Sequence, residues 1–277
     1  MNYQEEIKKH LEKYKNEHFK SIENGIWRKN KVSYPYILPI GEEKLNLLPI
    51  YREDTFKYLK DKKTKLHSGF HHLNSSQAMC LNFFFPLLKE KELEVVLKAI
   101  GYEMKNDEIN YKTCCFEKES EIEKVNNKYR ATSFDFYFKT KGGKNIFFEI
   151  KYTEQEFGKA KPDVTHKAKF DDVYKNKLCS FNEGYRQKTT FFENYQILRN
   201  LICISKDSYV VFLYPNNNDK IKKQAEFAKS NILMEDLKKN VINLSWEKLL
   251  CFTEKNIKNE SIIKQISDFK DKYNINV

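Results

Sequence analysis

The sequence predicts an α/β protein: a helix, three strands, a second helix and a fourth strand, forming a mixed central sheet flanked by helices, with an N-terminal helical extension and C-terminal helices. Three observations point there. Apolar residues recur at helical spacing before residue 100, three strand-like runs follow between 111 and 152, and the run Ser208 to Tyr214 is almost wholly apolar after another helical stripe. The chain has 277 residues, 40% of them hydrophobic, enough to build a core that folds on its own.

The elements follow in order. Over residues 3–23, Ile7, Leu11, Tyr14 and Ile22 mark one face of a charged amphipathic helix, with Asn24-Gly25 as a stop. The segment from Tyr34 to Pro49 is too rich in proline for a regular element, and a short basic helix over 53–62 follows. Residues 1–73 are therefore read as an extension, and 74–277 as the main domain with its C-terminal elaboration. Asn74 with Gln77 three residues on is a capping-box pattern for a helix through Met79, Phe83 and Phe84, which Pro86 should end or kink. A second helix over 89–100 closes at Gly101. Tyr111 to Glu117 supplies the first strand. After a Lys-rich loop, a helix over 187–201 buries Phe191, Tyr195, Leu198 and Ile202 as a core stripe. The tail shows helical patterns near 219–230, 246–253 and 260–272, with Val241 to Leu244 as an extra edge strand.

The anomaly lies in the second and third strands. Thr132 to Phe138 and Ile146 to Tyr152 carry Asp135, Glu149 and Lys151 among aromatic residues. Burying an unpaired ion costs on the order of several kcal/mol, so such charges persist where they meet each other or a metal. Alternation puts Ser133, Asp135 and Tyr137 on one face and Phe134, Phe136 and Phe138 on the other, with Glu149 and Lys151 opposite Phe148, Ile150 and Tyr152. A two-residue turn at Gly142-Gly143 would set Asp135 across from Ile150 and scatter the charges. A shared site needs an odd offset, hence a three-residue loop or a glycine bulge. The alternative is an edge hairpin whose outer face is merely polar, which suits Lys139, Lys141 and Lys144 better than Glu149.

An Asp on one strand followed at the end of the next by Glu-x-Lys resembles the PD-(D/E)XK nuclease superfamily, and the likeness, to a bacterial member, spans roughly residues 74–214. It implies a restriction-endonuclease-like core and a Mg²⁺-dependent deoxyribonuclease, an endonuclease of a bacterial restriction or defence system, with Mn²⁺ able to substitute. Asp135, Glu149 and the carbonyl of Ile150 would hold the metal, and Lys151 would orient the attacking water. Gln196 and Arg199 are further catalytic candidates, since members often place such residues of this helix near the centre. Glu117 and Glu94 are weaker candidates for another ligand, each read first as an ordinary surface acid. Thr153 and Glu154 would border the cleft.

A net charge of +11 suits a DNA partner, although nearly all of it is Lys, with only five Arg, which composition bias alone could produce. Lys159, Lys161, Lys167 and Lys169 lie in a loop, reaching to Lys177, that could track a phosphate backbone. Ser75 and Ser76 could meet the backbone at a helix start, with capping the simpler role. The six cysteines lack metal-ligand spacing, which argues against zinc. His71-His72 reads as a structural doublet. No apolar stretch suits a bilayer and no signal-peptide core follows Met1, so a cytoplasmic protein with free thiols and no membrane partner is expected, and a homodimer is compatible. The competing functions are a nucleic-acid-binding protein of the same fold without turnover, an exonuclease, and an RNA-directed nuclease.

Overall fold

A computed structural model describes residues 2–102, 107–124 and 128–276. Its elements are α1 (Tyr3–His18), β1 (Gly25–Ile26), β2 (Ser33–Tyr34), α2 (Arg52–Asp61), α3 (Ser76–Lys89), α4 (Glu94–Ala99), β3 (Ile109–Glu119), β4 (Ser133–Thr140), β5 (Asn145–Ile150), α5 (Val164–Lys169), α6 (Lys188–Glu193), α7 (Tyr195–Leu201), β6 (Ser208–Tyr214), α8 (Asp219–Phe227), β7 (Val241–Ser245), α9 (Trp246–Asn256) and α10 (Glu260–Tyr273). The main sheet runs β3-β4-β5-β6-β7, antiparallel through β5 and parallel from β5 onward.

Two apolar layers enclose the sheet. On one face Phe136, Phe138, Phe148, Val211 and Leu213 pack with α3, α9 and α10. Ile7, Leu11, Ile37 and Leu38 of the N-terminal segment join that same core. On the other face Val210 and Phe212 pack with α7, α8 and the segment around Phe170 to Phe181. The alternation on β6 thus assigns each residue to its layer. Phe134 departs from the expected face: it belongs to the second layer, its ring tilted against that of Phe147 with centres 4.7 Å apart. The change of side falls beside Glu117, a strand residue with φ of +54°, which interrupts the pleat.

Several expected boundaries shift for physical reasons. Helix α3 runs through Pro86 instead of ending there. Proline deprives the carbonyl four residues earlier of its N–H partner, and here the Asn82 carbonyl accepts a bond from the buried Gln265 amide of α10 at 2.8 Å. The N-cap of α3 is Ser75, whose hydroxyl accepts from the Ala78 N–H at 3.3 Å, and not Asn74. Gln77 is released from capping and reaches Glu117. The stripe over 187–201 is two helices, broken at Asn194, and α1 stops at His18 with Ile22 outside it. The α4 helix begins at Glu94, after Lys91 takes a φ of +59°.

Candidate functional site

The β4–β5 connection decides where the charges go. Phe136 faces Phe148 and Phe138 faces Ile146, so continuing the register sets Asp135 opposite Glu149. The loop is the three-residue Lys141 to Gly143, closed by the Thr140 N–H to the Lys144 carbonyl at 2.9 Å. Gly143 adopts φ of +92°, the left-handed position such a loop requires, which a side chain there would strain. On the other side of β4, Phe116 faces Phe136 and Lys118 faces Phe134, which leaves Glu117 opposite Asp135. Three neighbouring strands therefore present Glu117, Asp135 and Glu149 in one row.

Each acid has partners. Glu149 and Lys151 are only 4% and 6% exposed, and the Lys151 ammonium donates to Glu149 Oε1 at 2.7 Å. Gln196 Nε2 donates to the same oxygen at 2.8 Å. Asp135 Oδ2 accepts from the Ile150 N–H at 2.6 Å. Glu117 accepts from Gln77 at 2.7 Å and from the Ser133 hydroxyl at 2.8 Å. Burial, with Glu149 and Glu117 close by, pushes the Asp135 carboxyl well above the usual range. Burial also raises Glu117. Burial opposes the charge of Lys151, but Glu149, Glu154 and Asp135 outweigh it and hold the ammonium above its ordinary value.

The row lies in a cleft of about 940 Å³. Thr153 and Glu154 border it, as do Ser75 and Ser76, with Ser75 occupied in capping. Trp27, Arg28 and Lys29 of the N-terminal segment border it too, as does His72, whose imidazole is pushed down to about 4 by burial and by His71. Of the lysines in the basic loop, Lys159, Lys161 and Lys167 are exposed. Lys169 is not. It is buried, and its ammonium lies 3.0 Å from Glu123 Oε1 and donates to the Arg130 carbonyl at 2.6 Å. Arg199 likewise turns to Glu123, with Nε 2.8 Å from Oε1, and makes no hydrogen bond to Asp135 or Glu149 among the described residues. Glu94 sits away from the cleft, bonded to the Tyr111 hydroxyl.

Sequence reasoning underrated one acid, Glu117, and passed over another, Glu123. Glu117 differs from a surface acid in its neighbours: it falls on the face opposite the inward Cys114 and Phe116, where the register sets it across from Asp135, and pairing β3 against Asp135 would have flagged it. Glu123 lies in a run of charged residues from Glu117 to Lys124, where nothing distinguishes a fully buried carboxylate from its exposed neighbours.

An all-oxygen donor set of carboxylates with a nearby carbonyl suits a hard divalent cation. Among the described residues, no group of three or more His, Cys, Asp or Glu side chains converges to hold a metal by itself. The fit therefore rests on Asp135, Glu149 and the backbone of Ile150, whose N–H already anchors Asp135.

A helix before an antiparallel three-strand unit, then a helix and parallel strands, with the charged row at the junction of the antiparallel and parallel halves, defines a restriction-endonuclease-like α/β core. The chain belongs to the family described as restriction endonuclease associating with ARP, whose model matches residues 8–274. No match emerged among curated proteins or solved structures. Among the described residues, no helix is long and apolar enough to cross a membrane.

Proposed function

We propose that this protein is a Mg²⁺-dependent deoxyribonuclease, an endonuclease of a restriction or defence system. The observation that carries the reading is the register that aligns Asp135 with Glu149 and brings Lys151 onto Glu149 in one cleft. Asp135, Glu149 and the Ile150 carbonyl would hold the cation, which when bound offsets charge on the phosphate and acidifies a water. The residues of the chain do the rest. Lys151, held between Glu149 and the ring of Phe157 at 5.2 Å, presents a proton-rich head where a phosphate oxygen would lie. Gln196 steadies Glu149, and is itself fixed by its N–H to the Gly158 carbonyl at 3.2 Å. Hydrogen bonds from Ile150 to Asp135 and from Gln77 to Glu117 fix the other two acids.

Incubation with plasmid, linear duplex, single-stranded DNA and RNA, in Mg²⁺ or in EDTA, tests the proposal. Cleavage of duplex plasmid is expected in Mg²⁺ alone. Asp135→Ala, Glu149→Ala and Lys151→Ala are each expected to lower it by roughly three orders of magnitude while the protein stays folded and bound to DNA. Cleavage confined to RNA or to strand ends would reassign the substrate. Full activity in any of the three variants would remove that residue from the chemistry.

A further inference from the structure

The cleft holds a second charged cluster that the proposed chemistry leaves unused. Glu123 is wholly buried and accepts from Arg199 Nε at 2.8 Å, from the Lys169 ammonium at 3.0 Å, from the Tyr174 hydroxyl and from the Thr132 N–H. Two cations thus face one carboxylate. Nearby acids are committed elsewhere: Asp172 to Lys128 and Tyr129, Glu121 to Lys118 and Lys124, and Asp163 to His166. Among the described residues the salt bridges of Arg199 and Lys169 run only to Glu123, and both side chains border the cleft. Burial and the neighbouring Arg199 pull the Lys169 ammonium below its ordinary value, while Glu123 outweighs burial and holds the Arg199 guanidinium above its own.

We propose that Arg199 and Lys169, anchored on Glu123, form a phosphate subsite that takes the backbone phosphate next to the one held over Asp135 and Glu149. This rests on the nuclease reading. Its geometric basis is α7: Gln196 bonds Glu149 and Arg199 bonds Glu123, and side chains three residues apart on a helix stand roughly 5–6 Å from each other, the scale of one nucleotide step. Glu123 accepts through Arg199 Nε, and no terminal guanidinium nitrogen has a protein partner among the described residues, which leaves the end of the fork for a phosphate oxygen. The stack of the guanidinium on Tyr195, 4.8 Å from the ring centre, holds it in that orientation.

The test is a set of duplexes, each carrying one neutral methylphosphonate in place of a phosphate, with binding measured in Ca²⁺ so that no cleavage is needed. In the wild type, neutralising the phosphate over Lys151 and the one beside it should each weaken binding about tenfold. Lys151→Met should erase the penalty at the first position. Arg199→Met should reduce the penalty at the adjacent position to less than about twofold, and Lys169→Met should do the same with the Arg199 to Glu123 pair intact, so that one variant serves if the other misfolds. Unchanged penalties in both variants would overturn the subsite, as would coupling to a phosphate several steps away. Coupling of Lys151 without coupling of Arg199 or Lys169 would overturn the subsite and leave the nuclease reading standing, whereas failure to bind any nucleic acid would overturn both.

Discussion

The row on β3, β4 and β5 and the cluster around Glu123 are both charged and both open onto one cleft, yet their surpluses have opposite sign. In the row, three carboxylates meet one ammonium, and Asp135 is driven toward its protonated form by burial, Glu149 and Glu117. In the cluster, two cations meet one carboxylate. There burial also works against the Glu123 charge, but Arg199 beside it, with the bonds from Thr132 and Tyr174, pulls the carboxyl down to about 2. On the readings proposed above, these opposite surpluses match opposite ligands: a cation for the row, a phosphate for the cluster.

The largest effect should come from removing the anchor of the cluster. Glu123→Gln leaves the buried Lys169 and the partly exposed Arg199 without a carboxylate partner and should cost about 3–5 kcal/mol, read by denaturant titration. The pH dependence sharpens it. Because the folded carboxyl lies near 2, below the unfolded value, its contribution is fully present above about pH 4.5 and is lost as pH falls through about 2. The gap between wild type and Glu123→Gln should therefore begin to narrow as pH falls below about 4.5 and close below about 2. A gap of equal size at every pH would mean that packing, and not charge, is what Glu123 supplies.

The row should respond in the opposite direction. Asp135 has a raised carboxyl in the folded state, so the folded protein loses stability as pH rises through the unfolded value toward the folded one. Asp135→Asn should then stabilise the metal-free protein at neutral pH, by about 2–4 °C in Tm, with the gain vanishing below the ordinary carboxylate range. A destabilised Asp135→Asn at neutral pH would mean that the row carries no repulsion to relieve.

The smallest effect belongs to the exposed loop. Replacing Lys159, Lys161 and Lys167 with Gln should weaken DNA binding alike for all sequences and shallow the salt dependence by about one to three ions, leaving cleavage at saturation intact. An unchanged salt slope would move the phosphate track to Arg28 and Lys29 of the N-terminal segment, which also line the cleft.

Much of this was legible because alternation and turn chemistry act locally. The offset needed to bring Asp135 to Glu149 implied a three-residue loop, and Gly143 supplies it. What escaped depends on contacts distant in sequence. Pro86 remains inside α3 because Gln265, far along the chain, answers the carbonyl it orphans. Lys169 reads as one more lysine of a basic loop until Glu123 buries it. Glu117 joins the row through the β3–β4 register, and it carries a left-handed backbone in a strand, a conformation that ordinarily costs about 1–3 kcal/mol and that no local pattern announces.

Whether the row receives a divalent cation is decided by titrating the metal-free protein with Mn²⁺ and following bound metal by electron paramagnetic resonance together with proton release. One site is expected, lost in Asp135→Asn and in Glu149→Gln, with apparent affinity rising with pH as the acids of the row give up protons. Mn²⁺ binding that is unchanged in both variants, or that has no dependence on pH, would contradict it.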